Sequence, residues 1–196
     1  MTGNKAQGFS LIEMLIAVSL FALAGTVLSI MVVSMGRLHR RVAYTSVLNA
    51  EMRSISEMIS RQTRMTHLRF PVGGFAMKTS SFQLASKDPT VSGYEQIRLG
   101  SGAECSDTTI TSCLVVDIVD GNGGTVTHVL TGSRVNVKTF DVFPRPLTSP
   151  FDAVQNPPAV QPLVTIRIGL QYIAPDSKEN ASMEGQITFS FRDYQR

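Results

Sequence analysis

Three hydrophobic rhythms follow one another along the chain. From Met14 to Met35 there is no charged side chain, only apolar residues with Ser19, Gly25, Thr26, Ser29 and Ser34 among them. That is enough helix to cross a bilayer. From Arg37 to about Thr66 the apolar positions narrow to a stripe, Leu48, Met52, Ile55 and Ile59, widened by Val47 and Met58, while Arg40, Arg53, Glu57, Arg61 and Arg64 fall mostly outside it. Spacings of four, three and four mark one face of an amphipathic helix. No proline occurs before Pro71, so the pattern predicts a single helix from Phe9 to about Thr66, about 85 Å long.

After Pro71, Gly73 and Gly74 the period changes to two. Strands are predicted near Ser81–Ala85, Tyr94–Leu99, Leu114–Asp120, Thr125–Leu130, Val135–Phe143, Leu163–Ile173 and Gln186–Phe191. The run Asp120, Gly121, Asn122, Gly123, Gly124 reads as a hairpin turn, since Gly and Asn tolerate positive φ. The proline-rich stretch Pro144 to Pro162 is expected to interrupt the sheet as an excursion or loop. The fold class that results is α+β: one long N-terminal helix, transmembrane in its first half, packed in its second half on a C-terminal antiparallel β head.

A chain of 196 residues has room for one folded domain plus an extended appendage. Its 18 basic and 15 acidic residues are dispersed, net +3, unlike the dense basic stretch of most nucleic-acid binders. Cys105 and Cys113 are the only cysteines, too few for a zinc site and wrongly spaced for a CxxC redox pair. They form a local disulfide if the head faces an oxidising compartment, and remain thiols in a cytosolic loop.

The residues ahead of the apolar run are the most informative. Met1 to Gly8 is short and polar with one cation, Lys5; Phe9, Ser10, Leu11, Ile12 then open the run, and a carboxylate, Glu13, sits inside it. An ionised acid in hydrocarbon costs about 2 to 3 kcal/mol even on permissive scales, so Glu13 needs a partner or an interface. Gly8, Phe9 and Glu13, within the run GFSLIEMLIAVSLFALA, resemble the hallmark of the type IV pilin superfamily: a Gly, then Phe, a Glu at the fifth mature position, and about twenty apolar residues. The resemblance covers about the first thirty residues. It implies a prepilin peptidase that cuts between Gly8 and Phe9 and methylates the new amine of Phe9, with the span retained. That amine lies about 6 Å of helix rise from Glu13, so an axially displaced neighbour in a helical bundle can complete the ion pair. Glu13 would then set register and recruitment.

The resemblance divides the chain into a leader (1–8), a transmembrane and filament-core helix (9–35), its amphipathic continuation (36–70) and a β-rich head (71–196). It implies a structural subunit of a type IV pilus or a type II secretion pseudopilus. The partners it implies are the prepilin peptidase, other pilins or pseudopilins, an inner-membrane assembly platform and the lipid bilayer. The protein is expected to be single-pass in the inner membrane, N-terminus in the cytoplasm and head outside, and then in the filament. Arg37, Arg40 and Arg41 after the span run against the positive-inside rule, although long domains translocate despite flanking charge. A secretory signal cut after Ala22, Leu23, Ala24 fits less well, because the chain stays apolar beyond it and Glu13 would interrupt it. The absence of proline near residue 30 leans toward a minor pilin or minor pseudopilin. The alternative is a membrane-tethered binding module that does not polymerise.

Chemistry is not foreseen in the head. There is no nucleophile elbow, HExxH or GK[ST] loop, and His39, His67 and His128 are scattered. No enzyme activity, cofactor or metal is expected; Asp117, Asp120 and Asn122 lack the spacing of a calcium loop. Arg61, Arg64, Arg69 and Lys78 gather near the end of the long helix and form a candidate DNA-phosphate contact, without an aromatic platform beside them; the competing reading is a solvated helix end, where arginines complement the dipole.

Overall fold

A computed structural model describes residues 10–86, 92–150, 161–175 and 179–191. Among the described residues a single helix, α1 (Leu11–Met65), is followed by eight strands: β1 (Thr66–Arg69), β2 (Ser81–Ser86), β3 (Gly93–Ser101), β4 (Ser112–Asp120), β5 (Thr125–Val129), β6 (Val135–Arg145), β7 (Leu163–Tyr172) and β8 (Ala181–Ser190). The chain divides into two compact units, Met1–Val42 and Ala43–Arg196.

In the first unit every described residue is helix from Leu11 onward, and none is buried. This segment contains a helix long and apolar enough to cross a membrane. Three of its hydroxyls bond within the helix: Ser19 and Thr26 donate to the carbonyls of Ile16 and Leu23, and Ser29 to that of Gly25, each at 2.8 Å. Back-bonding of this kind is how a small polar residue lives on an apolar helix.

The second unit is built around the stripe on the C-terminal half of α1. Leu48, Ile55 and Ile59 are 0–2 % exposed, and Met52 and Met58 pack against them. Val47, expected on the stripe, is 42 % exposed; Tyr44 takes that place, stacked on Tyr172 with ring centroids 4.5 Å apart. The reason is angular, because Tyr44 lies one full turn before Leu48 on the same face whereas Val47 is rotated by about 100°.

All strand pairing is antiparallel, in two sheets. The first runs β1-β2-β3-β4-β5 and the second β6-β7-β8, each in chain order. Phe82, Leu84 and Ile97 of the first sheet and Val142, Ile166 and Ile168 of the second enter one core with the helix stripe. Polar bonds join the layers as well. Asn136 of β6 is 3 % exposed, and its Oδ1 accepts from the Thr111 hydroxyl (3.0 Å) and from the Ser112 amide (2.9 Å) and hydroxyl (3.2 Å) at the start of β4. Glu51 of α1 accepts from the Gly132 amide at 3.2 Å.

Several boundaries differ from the sequence pattern for identifiable reasons. β1 follows the helix without a turn and is too short to show a period; Thr66 still donates to the Gln62 carbonyl (2.7 Å), closing the helix as the strand begins. β6 continues through Pro144 to Arg145 instead of ending at Phe143. Val142 exchanges backbone hydrogen bonds with Thr79 on the side away from β7 (2.8 and 2.9 Å), so Pro144, two residues on, has its nitrogen on that same side and costs no β6-β7 bond. β8 starts five residues earlier than Gln186, with Glu184 paired to Arg167 across the sheet at 2.9 Å. Residues 151–160 of the proline-rich stretch lie outside the described residues.

One position opposes the fold. Glu95 lies in a row of directly paired residues, Leu68, Leu84, Glu95, Ile118 and Val126, which therefore share a face. Its Oε2 is buried without a hydrogen-bond partner among the described residues, and burial raises its carboxyl above the ordinary value of 4.5. A carboxyl raised in the folded state favours folding when protonated and opposes it once ionised. Glu95→Gln should therefore unfold at a higher denaturant concentration than the wild type at pH 7. The difference should close as pH falls below about 4.5, where both states are protonated; a gain that persists at pH 3 would mean packing, not charge, is responsible.

Candidate functional site

Helix α1 begins on a built cap. The Ser10 carbonyl accepts from the amides of Glu13 (3.1 Å) and Met14 (3.3 Å), and the Ser10 hydroxyl accepts from Glu13 N–H at 3.3 Å. Ser10 is thus the N-cap and Glu13 occupies the third helical position, the Ser-x-x-Glu spelling of a capping box. A carboxylate here also meets the positive end of the helix dipole. The Glu13 side chain is exposed at the head of an exposed apolar helix, so its group is presented outward at the point where the span begins. Gly8 and Phe9 lie outside the described residues. The Ser-x-x-Glu spelling of residues 10–13 is a signal for this cap that the sequence carries locally.

The four candidate DNA-contacting cations do not form a patch of unengaged charge. Arg61 and Arg64 are exposed on the last turns of α1, and Arg64 makes an interaction of its own. Arg69 lies over the ring of Tyr94 at 4.5 Å from the centroid, a cation–π contact that supplies an aromatic neighbour where none was foreseen. Lys78 is paired with Asp141 of β6 at 2.9 Å.

Cys105 and Cys113 are bonded, with Cα atoms 5.7 Å apart. The loop they close is held at a second point. Arg98 of β3 donates from Nε to Asp117 Oδ2 at 2.5 Å and from its terminal nitrogens to both oxygens of Glu104 at 2.6 and 3.1 Å. The Thr127 hydroxyl completes the Asp117 shell at 2.6 Å. Hydrogen bonds from Arg98, and then from the Ser101 amide, lower the Glu104 carboxyl to about 2. For Asp117 burial pushes upward, but the bonds from Arg98 and Thr127 outweigh it and leave the carboxyl below its ordinary value. Asp117 is therefore committed to an arginine, and Asp120 to its turn, where Oδ1 accepts from the amides of Asn122 (3.0 Å) and Gly124 (2.6 Å). Among the described residues no group of three acidic, histidine or cysteine side chains could hold a metal. No sequence signal joins residues 98, 104 and 117, which meet only when β3, β4 and the loop are assembled.

The span, its capped start and its acid coincide with a known signature. Residues 3–35 match the family described as prokaryotic N-terminal methylation motif. That match supports a type IV pilin-like precursor at the N-terminus. The fold agrees, with one long helix followed by antiparallel sheets. The motif implies processing by a prepilin peptidase and assembly with other pilins, and the apolar helix is consistent with anchoring in a membrane. Neither a curated protein nor a solved structure matches this chain.

The Arg98 cluster makes a pH-resolved prediction. Carboxyls lowered in the folded state stabilise it above their unfolded values, and that contribution is lost as pH falls through the folded ones. Arg98→Met should be less stable than the wild type at pH 7, and the deficit should shrink between about pH 4.5 and pH 2. Chemical denaturation at a series of pH values checks this; a deficit independent of pH would assign the loss to packing of the Arg98 stem.

Proposed function

We propose that this chain is a structural subunit of a filament of pilin-like proteins, a type IV pilus or a type II secretion pseudopilus, in which it is a minor component. Residues 1–8 are a leader, removed by cleavage between Gly8 and Phe9 with methylation of the Phe9 amine. Residues 9–35 are membrane span first and filament core afterwards. Residues 36–70 continue the helix, and 71–196 form the head on the outer side of the membrane.

The observation that carries this reading is the pairing of the methylation motif at residues 3–35 with an uncharged helix whose side chains are exposed from Met14 to Met35. Such a surface needs an apolar environment, and both lipid and neighbouring helices provide one. Methyl-sized additions at Gly25 and Gly36 meet nothing within 4 Å, so in this chain alone no contact demands a glycine there; close approach of a neighbouring helix would. The Cys105–Cys113 bond suits an oxidising compartment. In the filament the Phe9 amine of one subunit meets Glu13 of another, each neutralising a charge that is expensive to leave alone.

Mass spectrometry of the protein from cells with an active prepilin peptidase should find N-methylated Phe9 as the first residue. Retention of residues 1–8, or a start at Gly25, would overturn the proposal. Glu13→Ala should leave the membrane-bound protein intact but reduce its share in sheared filaments roughly a hundredfold, since an unpaired buried amine costs about 3 kcal/mol or more. Undiminished incorporation would favour the tethered binding module, in which the span is only an anchor.

A further inference from the structure

Strand edges are open rows of backbone donors and acceptors, and most sheets protect them with charge, proline, bulges, short strands or a covering segment. Three of the four outer strands in this head show such protection. β1 has four residues and ends in Arg69. The outer edge of β6 is bridged by Thr79 at Val142. β8 carries Glu184 and Gly185 at its middle.

β5 differs. Its sequence, Thr125-Val126-Thr127-His128-Val129, has no acidic, lysine, arginine or proline residue, its register with β4 is unbroken, and four of its five residues are exposed. The hydrogen bonds from Asp120 N–H to the Gly124 carbonyl (2.9 Å) and from Leu130 N–H to the Leu114 carbonyl (2.8 Å) set the parity of the pair. Val126 and His128 therefore bond toward β4, and the amides and carbonyls of Thr125, Thr127 and Val129 point outward. Beside this edge Val126 and its partner Ile118 are 57 % and 40 % exposed on one face.

We propose that β5 pairs with β5 of a second copy of this chain, antiparallel about a two-fold axis at Thr127. The register then places Thr127 opposite Thr127 and Thr125 opposite Val129, which brings the three outward-pointing residues of each strand into hydrogen-bonded positions. Val126 meets His128 of the other copy on the face where Ile118 is exposed, and the Thr–Thr pair is a favourable cross-strand combination. Self-pairing works here because the strand carries no formal charge, so no like charges are opposed in a chain of net charge +3. The interface is isologous, as a two-fold requires, and it uses nothing from the N-terminal helix.

The test uses the full-length chain in membranes, with Thr127→Cys and a short bis-maleimide. A dimer should form, while Gln186→Cys on β8, also exposed, should give none. Adding Thr125→Pro to Thr127→Cys removes an outward amide without removing a β4-β5 bond, and should lower the dimer yield about tenfold; Thr125→Ala should not. Equal yields from positions 127 and 186, or a yield unchanged by the proline with the Cys105–Cys113 bond intact, would overturn the proposal. The outcome is separable from filament assembly, because Glu13→Ala should leave the cross-link unchanged.

Discussion

The structure is organised by one constraint: the side chains of α1 from Met14 to Met35 are uncharged and exposed. About twenty residues without a charge cannot remain in water at that exposure. Within this stretch the backbone is paired as a helix and the hydroxyls of Ser19, Thr26 and Ser29 bond backward along it, which suits lipid or a bundle of like helices. The same helix, from Arg37 onward, changes character from apolar all round to apolar on one stripe, and that stripe is what the head folds upon.

Glu13 has meaning only against that background. At the third helical position it is a reasonable capping residue in any protein. Followed by more than twenty uncharged residues, it becomes an acid that must be matched wherever the helix is taken out of water. Its local role and the intermolecular role proposed for it do not compete. Capping by Ser10 determines where the helix starts, and hence the height at which the carboxylate stands relative to the span that follows.

The head is held by a different balance. Its two antiparallel sheets share one apolar core with the helix stripe; the polar joints at Asn136 and Glu51 connect layers, and Arg98 ties β3, β4 and their loop within the first sheet. The disulfide loop is tied both covalently and through Glu104, so it behaves as an extension of β3 and β4. Glu95 is the counterexample, a carboxyl with one oxygen buried and unsatisfied in an otherwise apolar row. Of the candidate DNA-phosphate cations, Arg69 lies over an aromatic ring and Lys78 pairs with an acid of β6.

The alternation of residues after Pro71 and the four-three-four stripe before it were enough to place the helix, its end and seven of the eight strands, because periodicity is a local property that the chain carries in its order. The match between Gly8, Phe9, Glu13 and the apolar run was equally legible, since it too is contiguous. What remained hidden depends on partners distant in sequence: the division of the strands into two sheets, β1, the exchange of Val47 for Tyr44 on the stripe, and the meeting of Arg98 with Glu104 and Asp117. Pro144 within β6 shows the physical reason most plainly. A proline reads as a strand breaker until the hydrogen-bond parity of its neighbours is known, and that parity exists only once Thr79 and β7 have taken their sides of the strand.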